Sequence, residues 1–110
     1  MSDEWVDAGP VTELDAEYPL AKRVAGVEVA LHLVDGQVYA TSNVCTHADA
    51  KLSDGVIEGF EVLCPLHGGS FDVRTGEAVR PPCVEPIATY RTKVESGRVL
   101  VCPFAPRTTE

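Results

Sequence analysis

The chain has 110 residues, a length for one small domain, because two independent cores would leave about fifty residues each, near the lower limit for unaided folding. Hydrophobic residues make up 45% and charged residues 24%, ordinary globular usage that excludes a disordered or fibrous chain. Nine Lys and Arg against seventeen Asp and Glu leave a net charge of -8, the wrong sign for nucleic acid or an anionic membrane surface.

The opening Met1-Ser2-Asp3-Glu4-Trp5 has neither the basic start nor the apolar run of a secretory signal, and no stretch approaches eighteen apolar residues. A cytoplasmic protein is expected. Asp15 to Leu20 offers at most one helical turn. Val27 to Leu33 places large apolar side chains at every odd position, the period of a strand with one buried face. His32 falls on the opposite face and is expected to be solvated. Asp35-Gly36 supplies the positive φ angles of a tight type I′ turn, so Gln37 to Thr41 should return as the second strand of a hairpin.

Further Gly-centred turns follow at Asp54-Gly55, Glu58-Gly59, Thr75-Gly76 and Ser96-Gly97. Between them lie short segments rich in β-branched and aromatic residues: Val56-Ile57, Phe60 to Leu63, Ser70 to Val73, Ile87 to Val94 and Arg98 to Val101. This pacing predicts an all-β sandwich or barrel. No window shows a long helical stripe, and no linker interrupts the chain.

Four cysteines in a reducing compartment are buried thiols, metal ligands or nucleophiles before they are disulfides. They stand at 45, 64, 83 and 102, evenly spaced, but their flanking residues do not repeat. Two of them carry histidines. Cys45-Thr46-His47, a gap of sixteen residues, and Cys64-Pro65-Leu66-His67 make a C-x-H and C-x-x-H pair, each where a strand gives way to a loop. Gly68 and Gly69 follow the second, where backbone can approach closely with its N–H groups aimed at sulfur. Cys83 and Cys102 have no neighbouring histidine and read as thiols packed like small hydrophobes.

A structural zinc site also takes two Cys and two His, but its usual order puts both cysteines first. Here the ligand types alternate. A Rieske-type [2Fe-2S] cluster needs two thiolates on one iron and two imidazoles on the other, which one Cys and one His per loop would supply. A colourless zinc interaction module remains the alternative, separable by the brown colour and acid-labile sulfide of an iron–sulfur protein.

The whole pattern resembles the Rieske ferredoxins, whose signature is C-x-H, a gap of about sixteen, then C-x-x-H. Asn43-Val44-Cys45-Thr46-His47, Leu52-Ser53-Asp54-Gly55, Cys64-Pro65-Leu66-His67-Gly68 and Phe71-Asp72-Val73 look like the ferredoxin components of bacterial ring-hydroxylating dioxygenases, over residues 4 to 102. The resemblance implies an all-β fold, a Rieske-type antiparallel β-sandwich or barrel with a small cluster-binding subdomain formed by two loops. It makes 1-110 a single Rieske domain, with a cluster-binding region at about 43-83. Cys45 and Cys64 would hold the inner iron, and His47 and His67 the outer iron. Arg80-Pro81-Pro82 resembles the proline-containing third loop that covers the cluster.

The same resemblance implies a monomeric one-electron carrier between a flavin-dependent NAD(P)H ferredoxin reductase and a terminal oxygenase, with no catalytic residue of its own. The higher-potential members tie their loops with a disulfide at the positions of Ala50 and Leu66, and place Ser and Tyr hydroxyls at those of Gly69 and Phe71. Without those donors the potential should fall toward the low end of the Rieske range, roughly -150 mV. Ser at 69 and Tyr at 71 should raise it. Lys51 is a candidate docking cation or a solvated side chain.

Two other functions fit the residues less well. An oxygenase site of two histidines and a carboxylate is short of ligands, since only His32 remains after His47 and His67. The Rieske-type small subunit of an assimilatory nitrite reductase shares the fold, but many such subunits lack cluster ligands that this chain keeps.

Overall fold

The strand that carries the Val27 to Leu33 alternation is buried on both faces, and the two halves of the molecule meet on it. The computed structural model describes residues 5–46, 50–65 and 68–107. Ten strands run in chain order: β1 (Val6–Pro10), β2 (Leu20–Val24), β3 (Val27–Val34), β4 (Gln37–Ser42), β5 (Val56–Glu58), β6 (Glu61–Leu63), β7 (Ser70–Asp72), β8 (Ala78–Arg80), β9 (Thr89–Glu95) and β10 (Arg98–Arg107). Only two short 3-10 turns, Val11–Glu13 and Leu52–Asp54, interrupt them among the described residues. The helical turn allowed for at Asp15 to Leu20 does not form, and Leu20 instead opens β2.

Six strands form an antiparallel sheet in the order β1-β10-β9-β4-β3-β2. Its outer strands approach one another, so the sheet curls into a nearly closed barrel. At that seam Lys22 of β2 pairs with Glu13 at 2.9 Å. Three two-residue turns set the registers. Val34 opposes Gln37 around Asp35-Gly36, Val24 opposes Val27 around Ala25-Gly26, and Glu95 opposes Arg98 around Ser96-Gly97. All six turn residues have φ between 51° and 83°, the left-handed pair whose twist matches that of the flanking strands.

The other four strands form a smaller antiparallel sheet, β5-β6-β7-β8, inserted between β4 and β9. It is laid against the barrel, and this explains the two buried faces of β3. Val29 and Leu31 point into the barrel core with Val24, Val38, Val99 and Val101. Ala30 and Val34 point the other way, into a second core with Leu52, Val62, Phe71, Val73 and Ile87. Tyr39 and Phe60 bridge the halves edge to face, with ring centroids 6.3 Å apart.

His32 lies on this second face. It is fully buried, contrary to the solvated position expected from alternation. A strand in isolation shows which face is more apolar, but not whether another sheet will cover the less apolar one. Burial also holds the His32 imidazole neutral, its pKa pushed down to about 3.

Candidate metal centre

One end of the molecule carries two loops of equal length. Val44 pairs with Lys51 in an antiparallel bridge, and Leu63 pairs with Ser70 at the end of the β6–β7 ladder. Just inside each pair the cysteine N–H turns back to close its own loop: Cys45 N–H to Ala50 O at 2.9 Å, and Cys64 N–H to Gly69 O at 2.8 Å. Each loop thus spans six residues, 45 to 50 and 64 to 69, although the Cys–His spacings differ. Both cysteines are buried, at 4% and 3% exposure, and share the second core. His47, His67 and the Leu66 position lie outside the described residues.

The first loop is anchored by Asn43, a buried amide with every polar group used. Its Nδ2 donates to Glu28 Oε2 (2.9 Å) and Ser53 Oγ (3.1 Å), and its Oδ1 accepts from the Ser53 N–H (2.8 Å). Its backbone N–H reaches Glu28 O and its carbonyl accepts from the Leu52 N–H. Lys51 Nζ completes the group at 2.7 Å from Glu28 Oε2, so it is neither a free docking cation nor merely solvated. Lys51 and Asn43 together hold the Glu28 carboxyl below its ordinary pKa. Asn43 carried no distinct signal in the sequence beyond its place in the motif.

The second loop is held from beneath. Ser70 Oγ donates to Glu61 Oε1 (2.7 Å), and Arg80 Nε donates to the same oxygen (3.0 Å), joining β6, β7 and β8. Gly68 has φ 75°, a conformation that glycine takes without strain. Gly69 is required for another reason: a Cβ there would overlap Cys83 Sγ and lie 3.1 Å from Cys83 N and 3.2 Å from Arg80 O. Phe71 is fully buried in the same core.

The third segment, Arg80 to Glu85, brings Cys83 to this end. Pro81 and Pro82 are joined by a cis peptide bond, and the Cys83 N–H returns to Arg80 O at 3.1 Å. Thr46 Oγ1 donates to Glu85 O at 2.9 Å, tying the segment to the first cysteine loop. Cys83 is 3% exposed and hydrogen-bonds Cys45, with Cys64 also near. Burial, then its two cysteine neighbours, push its thiol up to about 12, so it stays protonated. Cys83 and Cys102 are both buried free thiols, as their lack of a neighbouring histidine suggests; Cys83 packs in the second core beside Cys45, and Cys102 lies in β10.

Two buried, converging thiol groups on matched loops fit the thiolate half of an iron–sulfur cluster, soft donors suited to iron and sulfide. Among the described residues no three His, Cys, Asp or Glu side chains are arranged to share one metal ion, so Cys83 does not stand as a third equivalent ligand.

Fold and loop geometry together define a Rieske-type iron–sulfur protein, and the family model of the Rieske [2Fe-2S] domain matches residues 4–91. The chain belongs to that family, which carries one Rieske-type [2Fe-2S] cluster. It is 46% identical over 101 residues to the ferredoxin component of the naphthalene 1,2-dioxygenase system of Pseudomonas aeruginosa, covering 92% of this chain and 97% of that one. Among solved structures it resembles the ferredoxin of carbazole 1,9a-dioxygenase from Nocardioides aromaticivorans IC177, with TM-score 0.86, 40% identity, and 90% and 97% coverage. It also resembles a chain from the complex of reduced oxygenase and oxidised ferredoxin in carbazole 1,9a-dioxygenase, with TM-score 0.82, 32% identity, and 92% and 94% coverage. These similarities lend no support to the nitrite reductase alternative.

Proposed function

We propose that this protein is the one-electron carrier of an aromatic ring-hydroxylating dioxygenase system, receiving electrons from a flavin-dependent NAD(P)H ferredoxin reductase and passing them to a terminal oxygenase. The observation that carries it is the pair of matched loops that brings Cys45 and Cys64 together at one end, in a chain that corresponds nearly end to end with dioxygenase ferredoxins. No substrate bond is made or broken on this chain, whose relatives are electron-transfer components.

In this reading Cys45 and Cys64 hold the inner iron and His47 and His67 the outer one, within a cluster-binding region of about 43-83 in a single domain. The bound cluster takes up and gives back one electron. The residues of the chain orient it and limit water around it: Phe71, Leu52 and Val62 back the cysteines with a dry core, while Asn43 and Ser70 brace the loops. Val44 and Val84, 43% and 77% exposed, flank Cys45 and Cys83 and offer apolar contact to a docking protein. Pro81 and Pro82 lie in the segment that would cover the cluster. Among the described residues no helix is long and apolar enough to cross a membrane, and we assign the carrier to the cytoplasm, as a monomer.

The test has two parts. His47→Ala and His67→Ala should each abolish the Rieske signature in electron paramagnetic resonance; an unchanged spectrum would refute the ligand set. The holoprotein should couple NADH oxidation by a dioxygenase reductase to product formation by its oxygenase, and failure with a panel of such pairs would sink the carrier role.

A further inference from the structure

Cys83 places a third sulfur beside the two proposed ligands. Its Sγ fills the volume into which a side chain at residue 69 would project, and it hydrogen-bonds Cys45 within a shared core. The position is fixed from both sides, by the Cys83 N–H to Arg80 O and by Thr46 Oγ1 to Glu85 O. A sulfur bound to iron carries no proton. Of the two sulfurs in this hydrogen bond, only Cys83 then has a hydrogen to give.

We propose that the Cys83 thiol donates a hydrogen bond to the Sγ of Cys45 and so raises the cluster's affinity for an electron. This rests on the reading of Cys45 as an iron ligand. Reduction adds negative charge that is shared with the ligand sulfurs, so a donor aimed at one of them stabilises the reduced form more than the oxidised form. Cys83 is thus a positioning residue that acts through Cys45. Gly69 and Cys83 are two halves of one arrangement: the missing side chain at 69 admits the thiol, which supplies a hydrogen bond from the third segment. A thiol is a weak donor, so it tunes the potential within the low range.

The test uses the reconstituted holoprotein and its midpoint potential, followed by electron paramagnetic resonance. Cys83→Ala should retain the Rieske spectrum and lower the electron affinity by about threefold, or about 28 mV at 59 mV per tenfold. Cys83→Ser restores a donor in nearly the same shape and should match or exceed the native potential. If Cys83→Ala loses the cluster through poor packing, Cys83→Val fills the space without a donor and carries the same expectation. An exchangeable proton coupling in the native protein should vanish in Cys83→Ala and Cys83→Val. A native potential in those variants, with the spectrum intact, overturns the donor role and leaves the ligand reading standing. A Rieske spectrum that survives in Cys45→Ser overturns the ligand reading, and this proposal with it.

Discussion

His32 Nε2 lies 3.0 Å from Thr41 Oγ1, and that hydroxyl gives its own hydrogen to Ser42 O at 2.9 Å. The tautomer follows: Nε2 carries the proton and donates to Thr41, leaving Nδ1 buried without a partner. Protonating Nδ1 would put a charge into the interface between the two sheets.

A pH dependence follows from that arrangement. The native imidazole is held down to about 3, while the unfolded one titrates near 6.5. Between those values the unfolded chain binds a proton that the native chain refuses, so stability is full above 6.5 and falls as pH is lowered. From pH 7.5 to 5.5 the loss attributable to His32 should be about 1.4 kcal/mol. Urea unfolding of the native protein and of His32→Leu at both pH values isolates it, since other groups cancel in the difference. An equal pH dependence in both proteins would contradict it.

Asn43→Ala should be costly, because the amide is buried. It removes the donor to Glu28 and both bonds to Ser53, leaving the Ser53 N–H without its acceptor. A destabilisation of about 1–3 kcal/mol is expected, read from urea midpoints, with faster loss of visible colour on dilution because the same amide anchors the Cys45 loop. Asn43→Asp should also destabilise, since it places a second carboxylate against Glu28.

Gly69→Ala should cost about 1–3 kcal/mol through overpacking, because its Cβ would overlap Cys83 Sγ. Iron content after expression is the simplest measure. Adding Cys83→Ala should recover part of the loss, a coupling that a double-mutant cycle would quantify. The overlap also corrects the simpler expectation that Ser at 69 would only add a donor; raising the potential that way calls for Gly69→Ser together with Cys83→Ala.

The midpoint potential itself should lie toward the low end of the Rieske range, roughly -150 mV. Position 69 holds no hydroxyl, Phe71 is a buried hydrocarbon ring, and the donor proposed at Cys83 is a thiol, a weak one. Redox titration monitored by visible circular dichroism measures it. A value above about +100 mV would mean that stronger donors reach the cluster.

Much of the barrel is legible locally. Asp35-Gly36 and Ser96-Gly97 announce their turns because few residues accept φ above zero, and both occur with positive φ. Strands β1, β2 and β8 were not anticipated. Val6–Pro10 contains Gly9 and Pro10, Leu20–Val24 carries Lys22 and Arg23, and Ala78–Arg80 has three residues, so none shows enough alternation to stand out. Each is a strand because a neighbour supplies its hydrogen bonds.

The sequence by itself determined the all-β class, the hairpin turns at Asp35-Gly36 and Ser96-Gly97 and the two Cys/His pairs, since turn chemistry and ligand spacing are properties of a few adjacent residues. Only the tertiary structure decided that His32 is buried, that Lys51 is committed to Glu28, and that Cys83 meets Cys45 across thirty-eight positions of chain. Those relationships arise when the small sheet packs on β3 and the third segment folds back over the loops. No local pattern records which surfaces will be covered, because burial depends on partners that are distant in the chain.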